Sequence, residues 1–188
     1  MTTKEIQTGG LLFFISGLFY IGASAFSGNR VLYAVLGVCA TVLLAFSIRA
    51  VGAFMREDAE KKALQYGVAA MLVGVPFLIG VYGTAYAKAV TGISESTSNI
   101  LGLITILVGG FLAYGVSPAL IAYSGLKHSL VPRWLSWVGL ISGLYGLGWA
   151  GWVWAIPPAK IVILLPGVLL TYIWQLGMGV LLMRRRNS

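Results

Sequence analysis

Ser96-Thr-Ser-Asn-Ile-Leu-Gly-Leu-Ile-Thr-Ile-Leu-Val-Gly-Gly-Phe-Leu-Ala-Tyr-Gly-Val-Ser-Pro-Ala-Leu-Ile-Ala-Tyr-Ser-Gly-Leu126 runs for 31 residues without Asp, Glu, Lys or Arg. The hydrocarbon core of a bilayer is roughly 30 Å thick, and about 20 residues of helix cross it at 1.5 Å each. A transmembrane strand needs only about 10 residues, alternating in polarity. This run is far longer and evenly apolar, so it predicts a membrane-spanning helix.

Five further stretches behave alike. Charge-free runs cover 24 residues between Glu5 and Arg30, 18 between Arg30 and Arg49, 25 from Ala63 to Ala87, 26 from Trp134 to Ala159, and 23 from Ile161 to Met183. The expected fold is all-α, a polytopic bundle of six transmembrane helices at about 9–27, 31–54, 63–86, 99–124, 134–156 and 161–183. Connections are short, so sequential helices should be antiparallel neighbours. No composition shift marks a second domain, and residues 1–188 read as one unit.

Composition excludes the alternatives. The 188 residues are 59% hydrophobic and 10% charged, with a mean hydropathy of +0.90. Soluble domains run about 45–50% apolar and about 25% charged, and disorder needs low hydrophobicity. A single cysteine excludes an intrachain disulfide or a multi-cysteine metal site, and a single histidine excludes an all-histidine site within one chain.

Charge gives the orientation. With six spans, the side holding both termini carries Lys4, Arg49, Arg56, Lys61, Lys62, Lys127, Arg133, Arg184, Arg185 and Arg186. The other side carries Arg30, Lys88 and Lys160, a ratio of 10 to 3. Lys and Arg concentrate in cytoplasmic loops, which predicts both termini in the cytoplasm. The net charge of +8 is mostly this signal. No basic stripe with interleaved aromatics suggests nucleic-acid binding. Ala23-Ser24-Ala25 has the small-residue pattern of a leader cleavage site. Ordinary small residues at a helix end produce the same pattern, and the weak basic start, Lys4 beside Glu5, favours that reading.

Small residues recur at helical spacing. Ala63, Gly67, Ala70 and Gly74 mark one face of the third helix, and Gly139, Gly143, Gly146 and Ala150 mark one face of the fifth. Helices in lipid associate by close packing, which small residues permit. These faces serve either the bundle itself or a docked subunit. Pro76, Pro118 and Pro166 each remove a backbone donor and predict a kink or a helix start. Pro76 and Pro118 lie well inside their spans, as in the broken helices of transporters.

Arg133 with Trp134 and Trp137, and Trp149, Trp152 and Trp154, stand at the two ends of the fifth helix. Rings there anchor at headgroup level. A cation-binding Trp cluster is the less natural reading. Arg56–Glu60, Glu57–Lys61 and Asp58–Lys62 are i, i+4 pairs suited to a solvated helical extension. Ser94-Glu-Ser-Thr-Ser-Asn99 reads as the cap of the fourth helix.

Two hairpins repeat a string. Phe14-Ile-Ser-Gly-Leu-Phe19 aligns with Leu140-Ile-Ser-Gly-Leu-Tyr145. With a small shift, Gly37-Val38 and Thr41 align with Gly167-Val168 and Thr171. Chance similarity between apolar helices is the competing explanation.

Leu130-Val-Pro-Arg-Trp-Leu-Ser-Trp-Val-Gly-Leu-Ile-Ser-Gly143, with Trp174-Gln-Leu-Gly-Met178 and the Arg184-Arg-Arg186 end, resembles a family of prokaryotic six-helix integral membrane proteins known only as a domain of unknown function. The resemblance implies a six-span fold and a prokaryotic cytoplasmic (inner) membrane, and it brings no catalytic residues. The two thirds before it fit by topology alone.

Ionisable groups inside a membrane mark ion pathways, and no span carries one near its middle. Gln175 is the most polar residue of the last helix and is placed to bridge two helices. Cys39 reads as a small buried hydrophobe. His128, in Lys127-His128-Ser129, is the one weak candidate for a cofactor ligand; a solvated loop histidine is the simpler account. No catalytic set, phosphate loop or metal-ligand spacing is present, so no catalytic residue, metal or cofactor is expected. The bilayer is the certain partner, with other membrane subunits or self-association in addition. Three functions follow in order: a non-catalytic subunit or assembly component of a membrane complex, a small permease or channel for a neutral or lipophilic solute, and an enzyme acting on lipid or quinone.

Overall fold

Several helices are started or stopped by chemistry visible at their ends. Thr2 accepts a hydrogen bond from the Glu5 N–H at 3.3 Å, and the Glu5 carboxylate accepts one from the Thr2 N–H at 2.6 Å. This reciprocal cap opens α1, Thr3–Ala25. The helix thus begins six residues before the apolar span expected from residue 9, because capping rather than apolarity sets where it nucleates. Asn29 Oδ1 accepts from the Leu32 N–H at 3.1 Å and opens α2, Arg30–Phe54.

The third helix, α3, is Lys62–Thr91 and runs through Pro76 without interruption. The fourth, α4, spans Leu107–His128. Its Gly110–Val116 segment is a π-helix, followed by α-helix from Ser117. Pro118 cannot donate to the carbonyl four residues back, at Tyr114, and the chain accommodates this by widening the turn before it. Of the two interior prolines, Pro118 therefore coincides with a broken helical pattern and Pro76 does not. Ser129, at φ 55°, ends α4 in the left-handed region. The Pro132 carbonyl then accepts from the Leu135 and Ser136 N–H groups at the start of α5, Arg133–Ala155. The last helix, α6, is Leu165–Met183, with Pro166 in its first turn.

The computed structural model describes residues 1–55, 62–91, 104–105, 107–129, 131–155 and 165–184, and only the backbone of 148–155 and 165. Among the described residues all regular structure is helical. Five helices, α1, α2, α3, α4 and α6, are long and apolar enough to cross a membrane. At 23 residues α5 has the length as well. The ion pairs expected at 56–62, the cap at 94–99, and Glu95, Lys160, Arg185 and Arg186 lie outside the described residues, as Lys62 alone of that loop does not.

The helices close a ring in chain order. Each packs against its neighbours in sequence, and α6 returns to α1. The half of the ring near both termini is filled by buried side chains, among them Phe13, Leu44, Ile48, Met55, Met178 and Leu182. Phe13 meets Trp174 edge-on, with ring centroids 6.0 Å apart.

The small residues of α3 and α5 face neighbouring helices of the same chain. A Cβ on Gly143 would stand 2.6 Å from the Ala119 nitrogen, and one on Gly139 would overlap the Trp174 ring. Gly146 lies against the Tyr114 carbonyl. Gly67 abuts Ile121 and Gly74 abuts Ala113, all on α4. Ala63 and Ala70 are half-buried at the margin of that face.

Cys39 is a correction: it is exposed, not buried. The buried face of α2 carries Ala34, Gly37, Ala40, Thr41 and Leu44, and Cys39 falls on the opposite side, where an apolar residue meets lipid rather than core.

Candidate functional site

The other half of the ring is not filled. A cavity of about 250 Å³ lies there, where α1 and α3 approach their ends and α2 and α6 begin, and all six helices contribute to its wall. Its most frequent lining residue is tyrosine: Tyr20, Tyr33, Tyr82, Tyr114, Tyr145 and Tyr172, one from each helix.

Glycines position these rings. The Tyr82 ring of α3 lies directly on Gly37 of α2, where any Cβ would overlap it. The Tyr145 side chain of α5 sits on Gly167 of α6, whose Cβ would come within 2.7 Å of it. Gly146 admits the Tyr114 main chain, whose carbonyl any Cβ there would overlap. In each case the missing side chain lets a helix or a ring approach closely enough to hold a bulky phenol in one place.

The repeated string acquires a structural meaning here. Thr41 Oγ1 donates to the Gly37 carbonyl at 2.7 Å, and Thr171 Oγ1 donates to the Gly167 carbonyl at 2.9 Å. Both hairpins thus use a Gly-x-x-x-Thr turn whose glycine seats a tyrosine from an adjacent helix. The other aligned pair diverges. Ser16 donates across to the Ala40 carbonyl at 2.7 Å, whereas Ser142 bonds its own helix at Gly139.

Hydroxyl contacts tie the wall together. Tyr20 and Thr41 oxygens are 2.8 Å apart. The Thr41 proton is engaged at Gly37, so Tyr20 is the donor. Tyr172 and Ser24 oxygens are 2.6 Å apart. Rings meet tilted or edge-on: Tyr33 and Tyr82 at 5.2 Å and 56°, Tyr20 and Tyr114 at 5.9 Å and 74°.

Below the cavity, Gln175 Nε2 donates to Ser16 Oγ at 2.9 Å and reaches the Phe13 carbonyl at 3.4 Å. With the Ser16–Ala40 bond, this joins α6, α1 and α2 through buried polar groups, the bridging expected of Gln175. It forms the floor, together with the Phe13–Trp174 pair.

No described lining residue is Asp, Glu, Lys, Arg or His. Moving an ion out of water costs several kcal/mol even after relaxation. Cation–π contact returns about 0.5–2 kcal/mol per ring, and the described lining offers an ion no group of opposite charge. The cavity therefore suits uncharged molecules, with hydroxyls available to orient them.

The sequence-based candidates lie elsewhere. His128 is half-buried at the last position of α4, about 21 Å along the helix from Tyr114 at 1.5 Å per residue. Arg133, Trp134 and Trp137 are exposed at the start of α5, with the two indoles 59% and 53% accessible. Trp149, Trp152 and Trp154 are on α5, and their side chains lie outside the described residues. Among the described residues, no group of three or more His, Cys, Asp or Glu could hold a metal. The tyrosines do not stand out as a group in the sequence, because they are scattered along it. Their signal is one tyrosine per helix at matching depth, coupled to the repeated Gly-x-x-x-Thr. A comparison of the chain with protein-family models, with curated proteins and with solved structures finds no match.

Proposed function

We propose that this chain is a small permease or solute-binding protein for an uncharged solute, the cavity being its binding site. The observation that carries this reading is a hydroxyl-bearing cavity, lined by all six helices and floored by packed core, whose described lining carries no charged side chain. We further infer six membrane spans with both termini cytoplasmic, from the 10-to-3 distribution of Lys and Arg. In that orientation the cavity lies toward the outer face. A prokaryotic inner membrane, and membership of the six-helix family named above, rest on the Leu130–Gly143 resemblance.

The reading of a non-catalytic subunit drew on small-residue faces and on the lack of site chemistry. Gly67, Gly74, Gly139, Gly143 and Gly146 pack against helices of the same chain, so these glycines do not favour it over the solute reading. The lipid or quinone enzyme drew on His128, which is remote from the cavity.

The test is equilibrium binding to the purified chain in nanodiscs, against Val168→Trp. Val168 lines the cavity and is only half-buried, so an indole there fills the space without entering the packed floor. Uncharged small solutes should bind the wild type and lose binding in the variant. Equal binding to both proteins by every solute would overturn the reading.

A further inference from the structure

We propose that α4 switches between two helical registers at the turn before Pro118, and that the switch carries the Phe111 ring into the cavity or out of it. The inference concerns how the cavity opens and closes, and its test requires no solute.

The present register leaves two buried polar groups unmatched. The Ser117 N–H donates to the Leu112 carbonyl, five residues back. The next residue is Pro118, which has no N–H. The Ala113 carbonyl therefore finds no donor in its own helix, although Ala113 is 0% exposed. The Ser117 hydroxyl, also 0% exposed, has no partner among the described residues. Hydroxyls elsewhere in this chain behave differently. Thr8, Thr41, Thr84, Thr91 and Thr171 each donate to the carbonyl four residues back, at 2.7–2.9 Å. Ser117 stands in the same relation to Ala113 and makes no such bond, because the widened turn displaces that carbonyl.

A regular α-helix through the same residues satisfies both groups. The Ser117 N–H then reaches the Ala113 carbonyl, and the hydroxyl bonds the same oxygen as the threonines do. Packing opposes that gain, with Gly146 seated on the Tyr114 carbonyl in the wide register. Unmatched groups in one register and displaced packing in the other give α4 two discrete arrangements, the condition for a switch.

The sequence suits both. A turn closed by i→i+5 bonds holds one residue more than an α turn. On conversion, each residue on the outer side of the turn takes the angular place of the one before it. Gly110 then replaces Gly109 against α3, where a Cβ would stand 3.0 Å from the Leu78 nitrogen. Two consecutive glycines thus supply the close contact in either register. Phe111 in turn replaces Gly110, which now lines the cavity. Phe111 is 40% exposed on the outside of the bundle, so the α register swings its ring from that surface into the cavity.

The experiment is fluorine NMR on the full chain in nanodiscs. The chain carries Phe111→Cys, tagged with a trifluoromethyl group, in a Cys39→Ala background. Lipid with a nitroxide on its acyl chain broadens the signal of a tag that faces lipid. Two environments are expected, of which only one is broadened. Gly110→Ala should leave only the broadened one, since its methyl has no room beside Leu78 in the α register. Ser117→Ala removes a hydrogen bond that only the α register makes, and should shift the population toward the broadened signal by about threefold. Val168→Trp fills the cavity and should shift it the same way. Ser117→Ala deletes a single oxygen and remains readable even where Gly110→Ala fails to fold. A spectrum whose positions, proportions and broadening stay the same through Ser117→Ala and Val168→Trp overturns the proposal. A shift away from the broadened signal in Ser117→Ala overturns it as well. Either result leaves the neutral-solute reading standing, because solute binding is measured separately.

Discussion

Gly37 shows how a residue with no side chain sets the position of one that has a large one. Its Cα is covered by the Tyr82 ring, and its carbonyl receives the Thr41 proton, which in turn directs the Tyr20 hydroxyl. A methyl group at Gly37 overlaps the ring and must push Tyr82 toward the cavity. Overpacking of this kind costs about 1–3 kcal/mol. Gly37→Ala should therefore lower thermal stability in detergent and weaken solute binding more than Tyr82→Phe does. Equal binding by Gly37→Ala and wild type would separate the glycine from the site. Gln175 is the corresponding polar case. Interhelical hydrogen bonds in membrane proteins average about 0.6 kcal/mol and reach about 1.7. Gln175→Leu should destabilise the fold by about 1 kcal/mol, because it removes the donors to Ser16 and Phe13 but leaves Ser16 bonded to Ala40. A reversible unfolding curve in mixed micelles measures this directly.

Helix α5 illustrates what an element owes to its neighbours. Its Gly139, Gly143 and Gly146 meet Ala122, Ala119 and Tyr114 in antiparallel register along α4, so close backbone approach holds this pair together. A leucine at Gly143 has no room, since even a Cβ would stand 2.6 Å from a backbone nitrogen. Gly143→Leu should unfold or aggregate the chain on extraction, seen as loss of the monodisperse peak in size-exclusion chromatography. Leu144→Ala, one position along on the exposed side, should leave that peak in place. The same interface buries the Ser117, Ser124 and Ser136 hydroxyls with no hydrogen-bond partner among the described residues.

At the scale of the molecule, orientation and ion chemistry are the testable consequences. A cysteine added after Ser188, in a Cys39→Ala background, should resist membrane-impermeant maleimide in intact cells. It should label once the membrane is opened. Cys39 faces away from the bundle, so its replacement leaves the core alone. Ready labelling from outside would reverse the orientation and put the cavity on the cytoplasmic side. Proton coupling is the second consequence. No described residue around the cavity is a carboxylate, lysine or histidine, and proton-coupled carriers relay the ion through such groups. The chain in sealed liposomes should therefore move no protons under an imposed gradient of the bound solute, read by an internal pH dye. A solute-dependent pH change that Gln175→Leu abolishes would identify a relay through the floor.

Much of this architecture was legible in the residue order. Charge-free runs of 18 to 31 residues leave helix as the only way to satisfy a backbone inside lipid. They located the helices, with ends displaced where a cap such as Thr2–Glu5 extends one beyond the apolar core. The glycine spacing likewise named close contacts, and the repeat already aligned Gly37 and Thr41 with Gly167 and Thr171. A single cysteine also leaves no multi-cysteine metal site or disulfide within one chain. What the residue order left open was which helix each small-residue face meets, that Cys39 looks outward, and that six tyrosines from six helices surround one space. Those depend on ring closure between α6 and α1 and on the rotation of each helix about its axis. Both are set by the sum of many side-chain contacts between segments distant in sequence. Apolar periodicity is a weak guide to them here, because a helix in lipid is apolar on its outer face as well as its inner one.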